Sequence, residues 1–382
     1  MIKILKNAII YAPEPLGRKD ILILGERIGY IADDIPEPSG LGDVEVCDLK
    51  GHTLVPGFID QHVHLTGGGG EGGPATRTPE AMLSDITTAG VTTVVGCLGT
   101  DGTTRSMQAL LAKARALEIE GITTWIYTGA YEVPTRTLTD NARNDLILIE
   151  KVIGIGEIAI SDHRSAQPQT HELMRLAAEA RVGGMLGNKP GILHLHVGSG
   201  PRGLKPVFDI IEETEIPITQ FTPTHLNRTA RLFEEAVEFG RHGGKIDFTA
   251  GGSAAKAVVE AIARGVPEEL VTISSDGNGS LPRFDESGRL SGLGVGSLKT
   301  LHETLVTVVR EEGLPLERAL KIITANVATT LNQSGRKGCL RVGADADLLL
   351  LGSELEIIDV WARGRKMVEG GKAIVLGTFE QP

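Results

Sequence analysis

The sequence predicts an α/β fold: a (β/α)8 TIM barrel carrying a small β-sandwich-like domain assembled from both termini. Three observations lead there. The middle of the chain alternates apolar, β-rich runs with helical patterns. Eight such runs can be counted, the number that closes a barrel. The two ends share a strand-and-turn texture that the middle lacks.

The N-terminal stretch, 1–55, reads as short strands (IKILKNAIIYA, KDILILGERIGYIA, DVEVCDLKG) separated by turn residues in ERIG and EPSGLGD. The stretch 338–382 repeats that pattern in ADLLLLG, EIIDVWARGRKMVEGG and KAIVLG. These two segments are expected to form one small β-domain, leaving 56–337 as the barrel. Strand runs are expected at 53–64, 92–99, 123–131, 153–161, 191–198, 216–225, 245–252 and 271–278. Helical patterns such as TPEAMLSDITTAG, SMQALLAKARALEIEG, THELMRLAAEARVGG and RLFEEAVEFGRHGG lie between them, several ending in the Gly that helix C-caps prefer. Strands separated by helices pair in parallel. An open Rossmann-like sheet is the alternative, but no GxGxxG follows the first strand.

Length and composition fit this picture. The chain has 382 residues, 41% hydrophobic and 23% charged, enough for a large core. Its net charge of -11 argues against general binding to nucleic acid or anionic membrane. No run reaches the ~18 apolar residues of a membrane span. The N-terminus lacks the pattern of a signal peptide, so a cytoplasmic location is expected. Cys47, Cys97 and Cys339 show no CxxC spacing and read as reduced structural thiols rather than disulfide or metal partners.

Polar residues collect at the C-terminal ends of the predicted strands, the face where barrels place their chemistry. His62 and His64 are spaced i, i+2, so both imidazoles leave the strand on one side. A single buried His is ordinarily a hydrogen-bonded core residue. Two in register, with His194, His196, His225 and Asp276 at other strands, point instead to a divalent metal. His194 and His196 face the same way and compete for one role; His196 is preferred because it lies nearer the strand end. His163 is a weaker candidate, and His52, His171, His242 and His302 fall on loops or helices.

PGFIDQHVH, GGGGEGGP, LGTDG, TGAYEVP, ISDHRS, PTHLNR, SSDGNGS and GADADLLLL together resemble the isoaspartyl dipeptidase (β-aspartyl peptidase) family of the amidohydrolase superfamily, along nearly the whole chain. The resemblance implies two divalent ions, with zinc expected. His62, His64 and Asp276 would hold the first and His196 and His225 the second. That family bridges its ions with a carboxylated lysine on strand 4; this chain has Glu157 there, which either bridges on a shorter stem or serves a single ion. The resemblance also implies hydrolysis of a β-aspartyl dipeptide by a metal-bound hydroxide. Asp276 would be the proton carrier and Tyr131 a donor to the oxyanion. Glu71 would take the substrate ammonium and Arg164 and Arg228 its carboxylates, with Gly69, Gly70, Thr100 and Ser280 completing the pocket. A homo-oligomer is expected on the same ground. Cyclic-amide or N-acyl amino acid hydrolysis, or a barrel that binds metal without turnover, are the alternatives.

Overall fold

The computed structural model describes residues 2–37, 44–284 and 290–381; the turn expected at EPSGLGD falls mostly outside them. Six parallel strands form one sheet in sequential order: β1 (Phe58–Val63), β2 (Val91–Gly96), β3 (Thr123–Thr128), β4 (Val152–Ile160), β5 (Ile192–Val197) and β6 (Phe221–Thr224). β7 (Ile246–Thr249) and β8 (Val271–Ser274) form a separate parallel pair. Every residue of β1, β2, β4 and β5 is buried, as expected of parallel strands covered on both faces.

The helices fall where the periodicity placed them and several ends carry the expected caps, but Thr170–Gly187 runs on through Gly183 and Gly184 and ends instead on Asn188, where φ is 51°. Met107–Glu120 starts at Ser106, whose hydroxyl accepts from the Ala109 N–H, and stops at Gly121, where φ is 133°. Ala230–Arg241 starts on Thr229 in the same way.

The ladder between β6 and β7 thins to Leu226 N–H donating to Asp247 O (3.3 Å). Between β8 and β1 the links are the His64 N–H to Gly277 O bond (2.8 Å) and the Ser275 N–H to Asp60 Oδ1 bond (3.2 Å). Side chains reinforce both seams. The buried Asp247 carboxylate on β7 accepts from Gln61 on β1 (2.7 Å), Thr224 on β6 (2.6 Å), and Thr272 (2.7 Å) and Ser274 (2.6 Å) on β8. One buried acceptor thus joins four strands where backbone pairing is weakest.

A nine-stranded sheet combines both ends of the chain. Its junction is Thr53–Pro56 lying antiparallel to Leu348–Leu351. Ile10, Ile21, Ile23, Leu54, Leu348 and Trp361 form its buried core. The single run expected at 53–64 is divided at Gly57, where the chain passes from this sheet into β1. A Cβ at Gly57 would sit 2.3 Å from the Thr92 hydroxyl and 3.0 Å from Asp347 Cβ, so only glycine fits the crossing. After β8 a hairpin, Ser280–Phe284 with Leu290–Val295, extends the loop that carries Ser280; the sequence reading did not anticipate it.

Candidate metal centre

Glu157 organises the site through a local irregularity of β4. Between the pairs Leu193↔Ile155 and Leu195↔Ile158, β4 advances three residues while β5 advances two. This bulge re-aims the chain at Glu157.

The two carboxylate oxygens of Glu157 face different histidines. Oε2 lies 3.3 Å from His62 Nε2 and 3.7 Å from His64 Nε2. Oε1 lies 2.7 Å from His196 Nδ1 and 3.4 Å from His225 Nε2. Asp276 Oδ1 is 3.1 Å from His64 Nε2 and 3.5 Å from His62 Nε2. All six expected metal residues therefore meet in one buried cluster.

The donor set suits divalent ions. Glu157 Oε2 and His62 Nε2 are buried without a hydrogen-bond partner among the described residues. Such orphans are costly unless something satisfies them, and a cation would satisfy both. Electrostatics point the same way. Burial lowers the basicity of His62, but the charges of Cys97 and Glu157 outweigh it and raise its pKa well above the usual value. His64 is likewise raised against burial, by Cys97 and Asp276. Burial works to raise Glu157, yet His62, His196 and His225 hold it well below the usual carboxylate range.

Outer contacts fix which nitrogen of each ring faces inward. Thr249 Oγ1 is 2.6 Å from His225 Nδ1, leaving Nε2 toward Glu157. Asp162 Oδ2 is 3.0 Å from His196 Nε2, leaving Nδ1 inward. His194 Nε2 is 2.8 Å from His62 Nδ1. This separates His194 from its competitor: His194 orients His62, whereas His196 reaches Glu157. Burial and the positive potential at His62 lower the His194 pKa to about 3, keeping it neutral. Supporting bonds of this kind set tautomer and ring angle in metal sites.

Above the cluster lie the other expected residues. The Tyr131 hydroxyl is 2.7 Å from His196 Nδ1. Burial, then the Glu157 charge, raises its pKa well above the usual value, so it stays protonated. Arg164 Nη1 donates to Glu71 Oε1 (3.1 Å), which also accepts from Thr100 Oγ1 (2.9 Å). Arg164 is gripped from the side by Asp162, through Nε (3.0 Å) and Nη2 (2.8 Å). Arg228 Nη1 sits 3.0 Å from His196 Nε2. Gly68 N–H donates to Asn278 O (3.1 Å), which ties the glycine run to the 276–280 loop. Gly69 and Gly70 have φ of 71° and 106°, and a Cβ on Gly69 would meet Thr76 O at 2.5 Å.

Sequence reasoning missed three participants. Asp162 positions Arg164 and His196; it stands in the ISDHRS motif but was not singled out. Thr249 carried no signal beyond its strand end. Cys97 was read as a structural thiol, yet it joins His62, His64 and Glu157 in one buried group. His163, by contrast, has a side chain 91% exposed and does not enter the site.

The sequence pattern of the amidohydrolase family matches residues 53–367. The chain belongs to the amidohydrolase family. Within that family it resembles the β-aspartyl dipeptidase of the thermophilic, keratin-degrading Fervidobacterium islandicum AW-1. The crystal structure of that protein in complex with the β-Asp-Leu dipeptide is 48% identical, covers 100% of both chains, and superimposes with a TM-score of 0.92. A second crystal structure from the same organism gives 46% identity and a TM-score of 0.91 over the same coverage. Dihydroorotase from Staphylococcus aureus is 43% identical over 70 residues, which is 18% of this chain and 16% of that relative. The chain therefore matches only about a sixth of those curated relatives' length. Among the described residues, no helix is long and apolar enough to cross a membrane.

Proposed function

We propose that this chain hydrolyses β-aspartyl dipeptides at two divalent ions, zinc being the expected metal. His62, His64 and Asp276 would hold one ion and His196 and His225 the other, with one Glu157 carboxylate oxygen available to each. The observation that carries this reading is the division of the two Glu157 oxygens between two histidine pairs. A single-ion site leaves that division unexplained.

When bound, the ions bring the pKa of a water toward ~7 and polarise the scissile carbonyl. Asp276 takes up the proton at Oδ1 or Oδ2 and passes it to the departing amine nitrogen, which is otherwise a very poor leaving group. The protonated Tyr131 hydroxyl donates to the carbonyl oxygen as that oxygen gains charge.

The charged residues match the substrate. Glu71 and Arg164 neutralise each other across 3.1 Å. The adjacent ammonium and carboxylate of an isoaspartyl residue can replace that contact, with ammonium on Glu71 and carboxylate on Arg164. Asp162 occupies the Nε edge of Arg164, which leaves Nη1 for the substrate. Arg228 takes the C-terminal carboxylate. Thr100 and Ser280 add hydrogen bonds, and Gly69 and Gly70 let backbone approach the ligand.

The same reading closes the six-stranded sheet and the β7–β8 pair into a (β/α)8 barrel spanning 56–337, with 1–55 and 338–382 as one small β-domain. A cytoplasmic, homo-oligomeric protein belongs to this proposal, on the resemblance and on the three free thiols. The test is an assay of β-Asp-Leu against α-Asp-Leu, with metal content measured on the same preparation. Cleavage of the β-linked dipeptide, little of the α-linked one, and two ions per chain are expected. Hydrolysis of hydantoins or N-acyl amino acids with β-Asp-Leu left intact would reject the substrate, and one ion per chain would reject the bridge.

A further inference from the structure

We infer that Cys97 is a ligand of the first ion, donating its thiolate sulfur beside His62, His64 and Glu157. This rests on the two-ion reading above and adds a donor to it.

Cys97 directly follows β2 and is 0% exposed. Its backbone N–H donates to Val63 O (3.0 Å), which seats it against the β1 residue lying between His62 and His64. Its sulfur reaches 3.9 Å from His64 Nδ1. One donor atom from each of His62, His64, Cys97 and Glu157 lies within 4.8 Å of all the others, and all four residues are buried. With bonds of about 2.0–2.3 Å, neighbouring donors in a five-donor shell of His62, His64, Asp276, Glu157 and Cys97 would lie roughly 3–4 Å apart. The group therefore needs a modest contraction, not a rearrangement, to close on an ion.

Two of these donors independently call for a cation. His62 Nε2 and Glu157 Oε2 both point into the group and have no hydrogen-bond partner among the described residues. Cys97 belongs to an apolar cluster with Ile59, Val95 and Tyr127, and its thiol lies 3.7 Å from Val63 O. What an aliphatic group could not do there is present a donor to the imidazoles and the carboxylate.

Charge supplies the reason for such a ligand. Glu157 shares its single negative charge between two ions, so each ion receives only part of it. Asp276 supplies the first ion with one carboxylate, and a thiolate would add a second anion that is not shared with the other ion. Coordination replaces the S–H bond with an S–metal bond and releases the thiol proton to solvent. A soft sulfur donor also biases the site toward zinc, cobalt or cadmium and away from magnesium or manganese.

The test uses the full chain, stripped with a chelator and reloaded with cobalt or zinc. Cobalt loading is expected to produce a thiolate-to-metal charge-transfer band in the near ultraviolet. X-ray absorption of the zinc form should require a sulfur scatterer at about 2.3 Å. Both signals should survive Cys47→Ser with Cys339→Ser and disappear in Cys97→Ser. Ions bound without a sulfur scatterer or charge-transfer band would overturn the inference while leaving the two-ion reading intact. So would a band that persists in Cys97→Ser. A chain that takes up no ion would overturn both. The wild-type spectra decide the matter even if Cys97→Ser does not fold.

Discussion

The deep part of the site and its mouth follow different rules. His62, His64, Glu157, His196, His225 and Asp276 expose at most 11% of their side chains, whereas Glu71, Arg164 and Arg228 expose 22–31%. The deep residues stand on strands or directly after them, and further buried groups (His194, Thr249 and Asp162) fix their orientation. The mouth residues stand on loops: Glu71 is held by Arg164 and Thr100, while Arg164 and Arg228 also reach down to Asp162 and His196. Low dielectric makes each deep interaction strong and each unmet donor costly. At the mouth, solvent screens the same charges. The deep groups are therefore expected to control whether metal binds and chemistry proceeds, and the mouth to control which substrate binds.

Mutations that sharpen this comparison can be ordered by expected effect. Glu157→Ala should abolish both metal retention and hydrolysis, read as metal content per chain beside activity. Glu157→Lys with bicarbonate should not restore them, because at the β4 bulge a longer side chain would carry its carboxylate past the positions the Glu157 oxygens occupy between the two histidine pairs. Asp276→Asn should keep metal yet lower kcat by on the order of 10²–10⁴, the usual scale for losing a proton-transfer group. Near-normal turnover would remove Asp276 from that role. Tyr131→Phe should cost about 10² in kcat, or roughly 3 kcal/mol, with metal content unchanged. The smallest effect belongs to the mouth. Arg228→Ala should raise KM for β-Asp-Leu by roughly 10–100-fold, the scale of a lost charged hydrogen bond, and leave kcat and metal nearly unchanged. If it instead strips metal, the deep site and the mouth are not separable.

Much of the deep site was legible because strand periodicity is local. Alternation puts His62 and His64 on one side whatever the rest of the chain does, and turn and cap residues mark where each strand ends. The preference for His196 over His194 rested on its place nearer the strand end, and the role of His194 was not legible. Both share a face, and only the 2.8 Å contact of His194 with His62 tells the orienting ring from the one at Glu157. The neighbours of Cys97 were not legible for a related reason: a cysteine after an apolar strand looks the same whether its neighbour is a leucine or an imidazole.

By itself the sequence determined the alternation of strands and helices, the pairing of the two termini in β texture, and which residue types line the strand ends. These follow from steric and hydrophobic preferences acting over a few neighbouring residues. Only the tertiary structure decided where Glu157 points, which oxygen faces which histidine, and that Glu71 meets Arg164 across 93 positions of chain. Those outcomes depend on the register between β4 and β5 and on the approach of separate loops. Both are set by the sum of many long-range contacts, which no short stretch of sequence contains.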